Sequence, residues 1–126
     1  MNQNRYSVMT NEKIITAKFF KTESGNEPVR EWLKEQKAEI KKLIGEDIKA
    51  VEFLWPIGYP QVRKLDRDLW EVRTNFPQGI SRVFFTVCGD NMVLLHSIIK
   101  KSQKTPKEDL DLAIKRRDQV LKGGLL

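Results

Sequence analysis

Cysteine and histidine are scarce in this chain, and their scarcity excludes several kinds of site. Cys88 is the only cysteine among 126 residues, so neither a disulfide nor a cysteine-based metal centre is expected. With His96 as the only histidine, the chain also has too few nitrogen and sulfur ligands for a zinc site. The composition therefore predicts a protein that works without a metal and without a cofactor.

Long apolar runs are also missing. No run approaches the ~20 residues that span a bilayer, and the N-terminus lacks the apolar core of a signal peptide. We therefore expect a cytoplasmic protein with no membrane association. The hydrophobic fraction of 40% and charged fraction of 32% are typical of a folded domain. Residues 1–12 are predicted to be a flexible leader, and residues 13–126 a single domain.

Positive charge is in excess, and it is unevenly distributed. Residues 1–60 hold 10 Lys and Arg against 9 Asp and Glu, a net charge of +1. Residues 61–126 hold 13 against 8, a net charge of +5. This asymmetry favours a polyanionic partner for the second half of the chain. A basic surface that serves only solubility is the simpler alternative.

The first half of the chain has the pattern of one strand followed by two helices. Residues 14–20 are apolar and rich in β-branched and aromatic side chains, which predicts a strand. The segment Ser24-Gly25-Asn26 forms a turn, and Pro28 suits the first turn of a helix that continues to about residue 36. A second helical pattern covers residues 40–55. These two helices are predicted to form a hairpin over one face of a sheet.

The second half of the chain predicts three strands and a final helix. The strands cover residues 69–76, 80–87 and 92–99, and a further short strand at residues 62–65 is left open. Short connections with turn-forming residues predict antiparallel pairing. Thr105-Pro106-Lys107-Glu108 has the pattern of a capping box that starts the last helix. The expected fold is an α+β domain of order β-α-α-β-β-β-α, with a small antiparallel sheet packed against a helical hairpin and a C-terminal helix.

Basic residues interrupt the apolar strands between Val62 and Pro106. Charges inside such strands are costly unless they line a face that an anionic ligand occupies, which makes RNA the leading candidate ligand. Alternation along the strands places Arg73 and Arg82 on the less apolar face if the register pairs them. The basic residues of this region are Arg63, Lys64, Arg73, Arg82, His96, Lys100, Lys101 and Lys104.

Each of these residues also has an explanation that requires no ligand. Arg73 could form a surface ion pair with Glu71 or Asp68. His96 could be a core histidine, and the lysines could be a solvated strand end. The ligand hypothesis depends on the convergence of all of them on one region.

Two sets of segments in the chain are similar to one known family. The first is FFKTESGNEPVREWL at residues 19–33, and the second comprises VRKL at 62–65, LWEVR at 69–73, SRVFF at 81–85 and LLHSIIKKSQKTP at 94–106. In this order they resemble the phage-derived HigB-type branch of the RelE/ParE toxin superfamily. The resemblance covers roughly residues 13–121.

The resemblance implies the toxin of a type II toxin–antitoxin system. Most members of the superfamily cleave mRNA on the translating ribosome, and an antitoxin, often a helix-turn-helix protein, binds and neutralises them as a hetero-oligomer. By motif position, the catalytic residues fall on Arg73, Arg82, His96, Lys100 and Lys101. Lys64 matches a position that contacts RNA, and Arg63 and Lys104 are expected to bind RNA beside it.

The chain departs from the family pattern at three points. Phe85 replaces an aromatic hydroxyl, and Ser97-Ile98 stand where a glycine and an aromatic residue usually follow the histidine. No tyrosine or acidic catalyst is evident before the last helix. The general base is therefore left open among His96, Lys100 and Lys101.

The expected chemistry is attack of a ribose 2′-hydroxyl on the neighbouring phosphate. Arg82, with Arg73 beside it, is expected to stabilise the negative charge of the phosphorane. Two other functions are compatible with the sequence: a non-catalytic gyrase inhibitor like the ParE branch, and a plain RNA-binding module.

Overall fold

The computed structural model describes residues 12–58, 60–101 and 104–123, and within them it contains five strands and three helices. Of the predicted leader, residues 1–11 lie outside the described residues. The predicted α+β fold is confirmed, and the strand left open near residue 62 is present. The elements are β1 (Thr16–Phe19), α1 (Pro28–Lys34), α2 (Ala38–Leu54), β2 (Val62–Asp66), β3 (Leu69–Phe76), β4 (Gly79–Cys88), β5 (Asn91–Lys100) and α3 (Lys107–Gly123).

The strands form one sheet in the order β1-β5-β4-β3-β2. Neighbours from β2 to β5 are antiparallel, as their short connections predicted. β1 differs, because it runs parallel to β5. A parallel pair needs a long crossover connection, and here α1, α2 and three strands lie between the two partners. β5 is therefore an inner strand, which explains why it is apolar on both faces.

A bulge in β5 decides which way its side chains point. Phe84 is paired with His96, whereas Phe85 is paired with Leu94, so Leu95 is an extra residue in β5. Such a bulge interrupts the alternation of faces. Leu95 and His96 consequently both face α3, where Leu95 packs beside Phe84 and the His96 ring stacks on it.

The helical hairpin covers one face of the sheet, as predicted. Here α1 and α2 contribute Val29, Ile44, Ile48 and Val51, which pack on Val72, Val83, Phe85, Met92 and Leu94. Trp55 packs edge-on against Trp70, with ring centroids 4.9 Å apart. We call the face of the sheet that α1 and α2 cover the α1/α2 face.

The last helix covers the opposite face, which we call the α3 face. Ala113 and Val120 of α3 pack with Leu69, Phe84, Val93 and Leu95. Val120 is buried because it continues the helical spacing set by Ala113 and Arg117, whereas its neighbour Leu121 is 39% exposed.

A buried carboxylate attaches the first strand to α2. Glu52 is 6% exposed, and its Oε2 accepts a hydrogen bond of 2.7 Å from the backbone N–H of Ala17. The backbone oxygen of Glu52 accepts hydrogen bonds from Ile14 and Ile15. Lys13 forms an ion pair with the same carboxylate at 3.2 Å. One α2 residue thus fixes the position of the chain where β1 begins.

Candidate functional site

Four adjacent strands direct polar side chains onto the α3 face. Residues that lie opposite each other in an antiparallel pair point to the same face of the sheet. Arg63 lies opposite Glu71, Arg73 opposite Arg82, and Glu71 and His96 lie on either side of Phe84. The predicted pairing of Arg73 with Arg82 is therefore present. Together with Thr105 and Asp109 beside them, these residues form what we call the α3-face cluster: Arg63, Glu71, Arg73, Arg82, His96, Thr105 and Asp109.

Glu71 is the centre of this cluster. Its Oε2 accepts a hydrogen bond of 2.8 Å from Arg82 Nη1 and lies 3.3 Å from Arg63 Nε. Its Oε1 accepts a 3.4 Å hydrogen bond from the Thr105 hydroxyl, which in turn accepts one of 3.3 Å from Arg63 Nη2. The sequence suggested Glu71 only as an ion-pair partner of Arg73. The position of this carboxylate within an apolar strand is the feature of the sequence that indicates burial beside a cationic partner.

Arg82 and Glu71 form a completely buried ion pair. Neither side chain has exposed surface. Burial lowers the pKa of Arg82 below its ordinary value, Glu71 acts in the opposite direction, and the charges of Arg73 and Arg63 lower it further. An arginine remains protonated at neutral pH even so. Arg82 is thus an enclosed fixed charge, and its predicted contact with a phosphorane stays a prediction.

His96 is held by an aspartate that the sequence analysis did not identify. His96 Nε2 lies 2.7 Å from Asp109 Oδ1, and the imidazole stacks on Phe84 with 5.7 Å between centroids. Asp109 belongs to the first turn of α3, whereas the family pattern led us to expect an acidic catalyst before that helix. The side chains of His96 and Asp109 are 18% and 23% exposed, so both groups reach the surface.

Arg73 lies toward the open edge of the cluster. It is half-buried, and its backbone N–H donates a 2.9 Å hydrogen bond to the carbonyl oxygen of Gln61. It also lines a groove of about 340 Å³ between the start of β2, the end of β3 and α2. Among the predicted catalytic arginines, Arg73 is therefore more accessible than Arg82.

The predicted lysines lie where β5 ends and α3 begins. Lys100 is exposed at the end of β5, two residues beyond Ile98, which faces α3. Lys101 and Lys104 are also exposed, and they flank Ser102 and Gln103, which lie outside the described residues. The lysines thus lie in the segment of the chain that leads into the first turn of α3, which carries Asp109.

Lys64 is separated from the other predicted RNA-binding residues. It lies opposite Trp70, so it points to the α1/α2 face, and its Nζ is 5.9 Å from the Trp70 ring centroid. Arg63, one residue earlier, points to the α3 face. The sheet therefore lies between Lys64 and the α3-face cluster. Adjacent residues of a strand point to opposite faces, so the two could not contribute to one cluster.

The arrangement combines fixed positive charge with an acid–base pair. Buried and half-buried guanidinium groups lie on the same face of the sheet as an imidazole–carboxylate pair, and exposed lysines lie between the end of β5 and the start of α3. This combination suits an anionic ligand that undergoes proton transfer. In residues 12–58, 60–101 and 104–123, no group of three or more His, Cys, Asp or Glu side chains is placed to hold a metal ion. None of the helices in these ranges is long and apolar enough to cross a membrane.

Comparison with known proteins identifies the family. The sequence model of the phage-derived Gp49-like proteins (DUF891) matches residues 31–118. The chain belongs to this Gp49-like family. The family consists of RelE/HigB-like toxins, and the matched range contains every residue of the α3-face cluster. Membership in a toxin family implies an antitoxin partner for a Gp49-like chain. No curated protein matches the chain.

Proposed function

We propose that this protein is the HigB-type toxin of a type II toxin–antitoxin system and that it cleaves mRNA on the translating ribosome. The observation that carries the proposal is the His96–Asp109 pair, which lies on the same sheet face as the Arg63–Glu71–Arg82 network. An imidazole oriented by a carboxylate is an arrangement that general bases use. Family membership supports the assignment as a toxin.

The reaction begins when a ribose 2′-oxygen attacks the adjacent phosphorus. The bond from phosphorus to the 5′-oxygen of the next nucleotide then breaks, which leaves a 2′,3′-cyclic phosphate and a free 5′-hydroxyl. A base must remove the 2′-proton, and an acid must protonate the leaving oxygen. His96 is the proposed base, and Lys100 or Lys101 is the proposed acid.

The arginines are proposed to supply the electrostatic part of catalysis. Arg63 and Arg73 retain access to the surface and can contact the phosphate oxygens, where negative charge grows in the phosphorane. Arg82 adds a fixed charge behind them and holds Glu71, which in turn orients Arg63. Lys104 is proposed to contact the RNA backbone outside this centre.

The ribosome is proposed to supply the substrate in the reactive geometry. The chain has a single histidine, so it cannot reproduce a ribonuclease that uses two. Holding the 2′-oxygen in line with the scissile bond can contribute several kcal/mol to a reaction, about 7 or more in favourable cases. We expect free mRNA to be cut far more slowly than mRNA on the translating ribosome.

The test is translation in a reconstituted system, followed by mapping of mRNA 5′ ends. The wild-type chain should create new 5′ ends inside the reading frame only when ribosomes are present. His96→Gln and Arg73→Ala should each reduce cutting by about 100-fold or more, the range of one general base or one charged donor. Lys42→Ala is the matched control, because it removes one positive charge from the exposed surface of α2.

Two results would contradict the proposal. One is intact message with the wild-type chain, and the other is cutting at the wild-type rate by His96→Gln. Intact message together with inhibition of DNA supercoiling would identify a gyrase inhibitor instead. RNA binding without either activity would identify a binding module. Tight copurification with a helix-turn-helix protein tests the antitoxin partner separately.

A further inference from the structure

The His96–Asp109 contact determines which imidazole nitrogen can act on a substrate. An ionised carboxylate offers only hydrogen-bond acceptors, so the proton in the 2.7 Å contact belongs to His96 Nε2. In a neutral imidazole, the nitrogen that donates this bond fixes the tautomer, and the lone pair is then on the other nitrogen. We infer that Asp109 is a positioning residue that keeps the proton on Nε2 and leaves Nδ1 as the atom that accepts the 2′-proton. This inference rests on the proposed nuclease activity.

The bulge in β5 is what makes this contact available. Regular alternation from Leu94, which packs on the α1/α2 face, would also direct His96 to that face. The extra residue Leu95 reverses the alternation, and the imidazole reaches α3 instead. α3 contacts both residues of this bulge. Arg116 Nη1 donates a 2.7 Å hydrogen bond to the backbone oxygen of Leu95, and Asp109 holds the side chain of His96.

The orientation of the imidazole plane is also constrained. Its ring is nearly parallel to that of Phe84, with 12° between the planes, and Phe84 has no exposed surface. A stacked ring can still flip by 180° about the Cβ–Cγ bond, which exchanges its two edges, and the bond to Asp109 favours the orientation that places Nε2 against the carboxylate. Stacking and hydrogen bonding together give one orientation of the ring. General bases depend on such orientation, because proton transfer needs the acceptor within hydrogen-bond reach of the donor.

A purely structural role for Asp109 predicts different behaviour. Under that alternative, the pair only attaches the start of α3 to the sheet, and the position of the proton on His96 has no consequence for the reaction. The structure offers a matched control for attachment. Asp66 binds Arg117 of α3 at 2.7 Å, more than two turns further along the helix from Asp109. Asp66→Asn weakens the docking of α3 without touching His96.

The first measurement is the tautomer of His96 in the full chain by ¹⁵N nuclear magnetic resonance, in slightly alkaline buffer. The spectrum is unambiguous because the chain has one histidine. The wild type and Asp66→Asn should each show a single tautomer with the proton on Nε2. Asp109→Ala should show exchange between the two tautomers, and its two nitrogen shifts should move toward each other. Asp109→Glu, which restores a carboxylate, should recover the wild-type pattern at least in part.

The second measurement separates binding from chemistry in single-turnover cleavage of ribosome-bound mRNA. Asp109→Ala should lower the rate constant at saturating ribosome about 10- to 100-fold, a part of the 10²- to 10⁴-fold that a general base supplies. The ribosome concentration that gives half of the maximal rate should change less than about threefold, since Asp109 does not contact the substrate. Asp66→Asn should retain the wild-type rate constant, and Asp109→Glu should regain much of it.

The outcomes that overturn the inference are distinct from failure of the proposed function. A wild-type proton on Nδ1, or an unchanged tautomer in Asp109→Ala, refutes the positioning of His96 by Asp109. Wild-type cleavage that is equally fast in Asp109→Ala refutes its contribution to the reaction. A wild-type chain that leaves mRNA intact refutes the nuclease and therefore the catalytic role, while the tautomer measurement still decides the positioning. Should Asp109→Ala fail to fold, the same decisions are taken on Asp109→Leu, which has a similar size and accepts no hydrogen bond.

Discussion

At the scale of single residues, the site depends on carboxylates more than its sequence suggests. Glu71 holds Arg82 and Arg63, and Asp109 holds His96. The cations themselves were evident in the sequence, because charge inside an apolar strand is unusual. Their partners were not, because alternation along a strand gives the face of a residue and says nothing about which side chains touch across it.

The Glu71–Arg82 pair should dominate the stability of the cluster. Removing one partner of a buried ion pair leaves the other charge uncompensated in a region of low dielectric constant, which costs about 3–5 kcal/mol. We therefore expect Glu71→Ala to lower the free energy of unfolding by that amount in urea titrations. Glu31→Ala, at an exposed site on α1, is the control and should stay within about 0.5 kcal/mol of the wild type. A Glu71→Ala protein as stable as this control would show that the buried pair contributes little.

At the scale of elements, the two helical layers are attached to the sheet by polar side chains that lie within their buried faces. Glu52 of α2 binds the backbone of β1, and Arg117 of α3 binds Asp66 at the end of β2. Both helices and their apolar faces could be predicted from the sequence, since helical periodicity is local. The bulge at Leu95 could not, because it is a property of the pairing between β4 and β5. It directs His96 to the α3 face.

The attachment of α3 through Asp66 should weaken in acid. The hydrogen bond from Arg117 is the main cause that lowers the pKa of Asp66 below its ordinary value of 3.8. A carboxylate whose pKa is lower in the folded state stabilises the fold above the unfolded value and loses this effect as the pH falls through the folded value. The wild type should therefore be more stable than Asp66→Asn at neutral pH. The difference should shrink below about pH 4 in thermal unfolding scans. A difference that is constant with pH would contradict this assignment.

Removal of the Glu52 side chain, which attaches β1 to α2, should lower the stability of the fold. In Glu52→Ala, the N–H of Ala17 loses its acceptor in a partly buried position, a change that costs about 1–3 kcal/mol. Glu52→Gln keeps an oxygen acceptor of the same shape and should lose less. Hydrogen exchange at the amide of Ala17 is the local measurement, and it should be faster in the alanine variant than in the glutamine variant. Equal exchange in both would show that the carboxylate does not hold this strand.

At the scale of the whole molecule, the separation of charge between the two faces of the sheet is the main determinant of how a polyanion can bind. The arginines of the cluster lie on the α3 face, and Lys64 lies on the other. The sequence correctly indicated that the second half of the chain carries the excess positive charge. It could not show that Lys64 lies on the opposite face of the sheet from the arginines, because the order of strands and their register depend on long-range pairing.

RNA binding by the whole molecule should depend on the lysines at the edge of the cluster. Each phosphate contact on a single strand adds about −0.7 to the slope of log affinity against log salt. Replacing both Lys100 and Lys101 with Gln should therefore reduce this slope by about one unit or more in fluorescence anisotropy titrations. Lys42 and Lys49, which are exposed on α2, provide a control of equal charge and should leave the slope nearly unchanged. The same slope change in both double variants would indicate binding by net charge alone.

The position of β5 in the sheet has a consequence for the order in which the protein forms during synthesis. β1 emerges from the ribosome early, yet its partner β5 begins 75 residues later at Asn91, because Thr16 is paired with Asn91. Asp109, which holds His96, is later still. Pairing over such distances in the chain delays folding until both segments are present. We expect a nascent chain to remain incapable of the proposed mRNA cleavage on the ribosome that is making it until nearly the whole protein has been released.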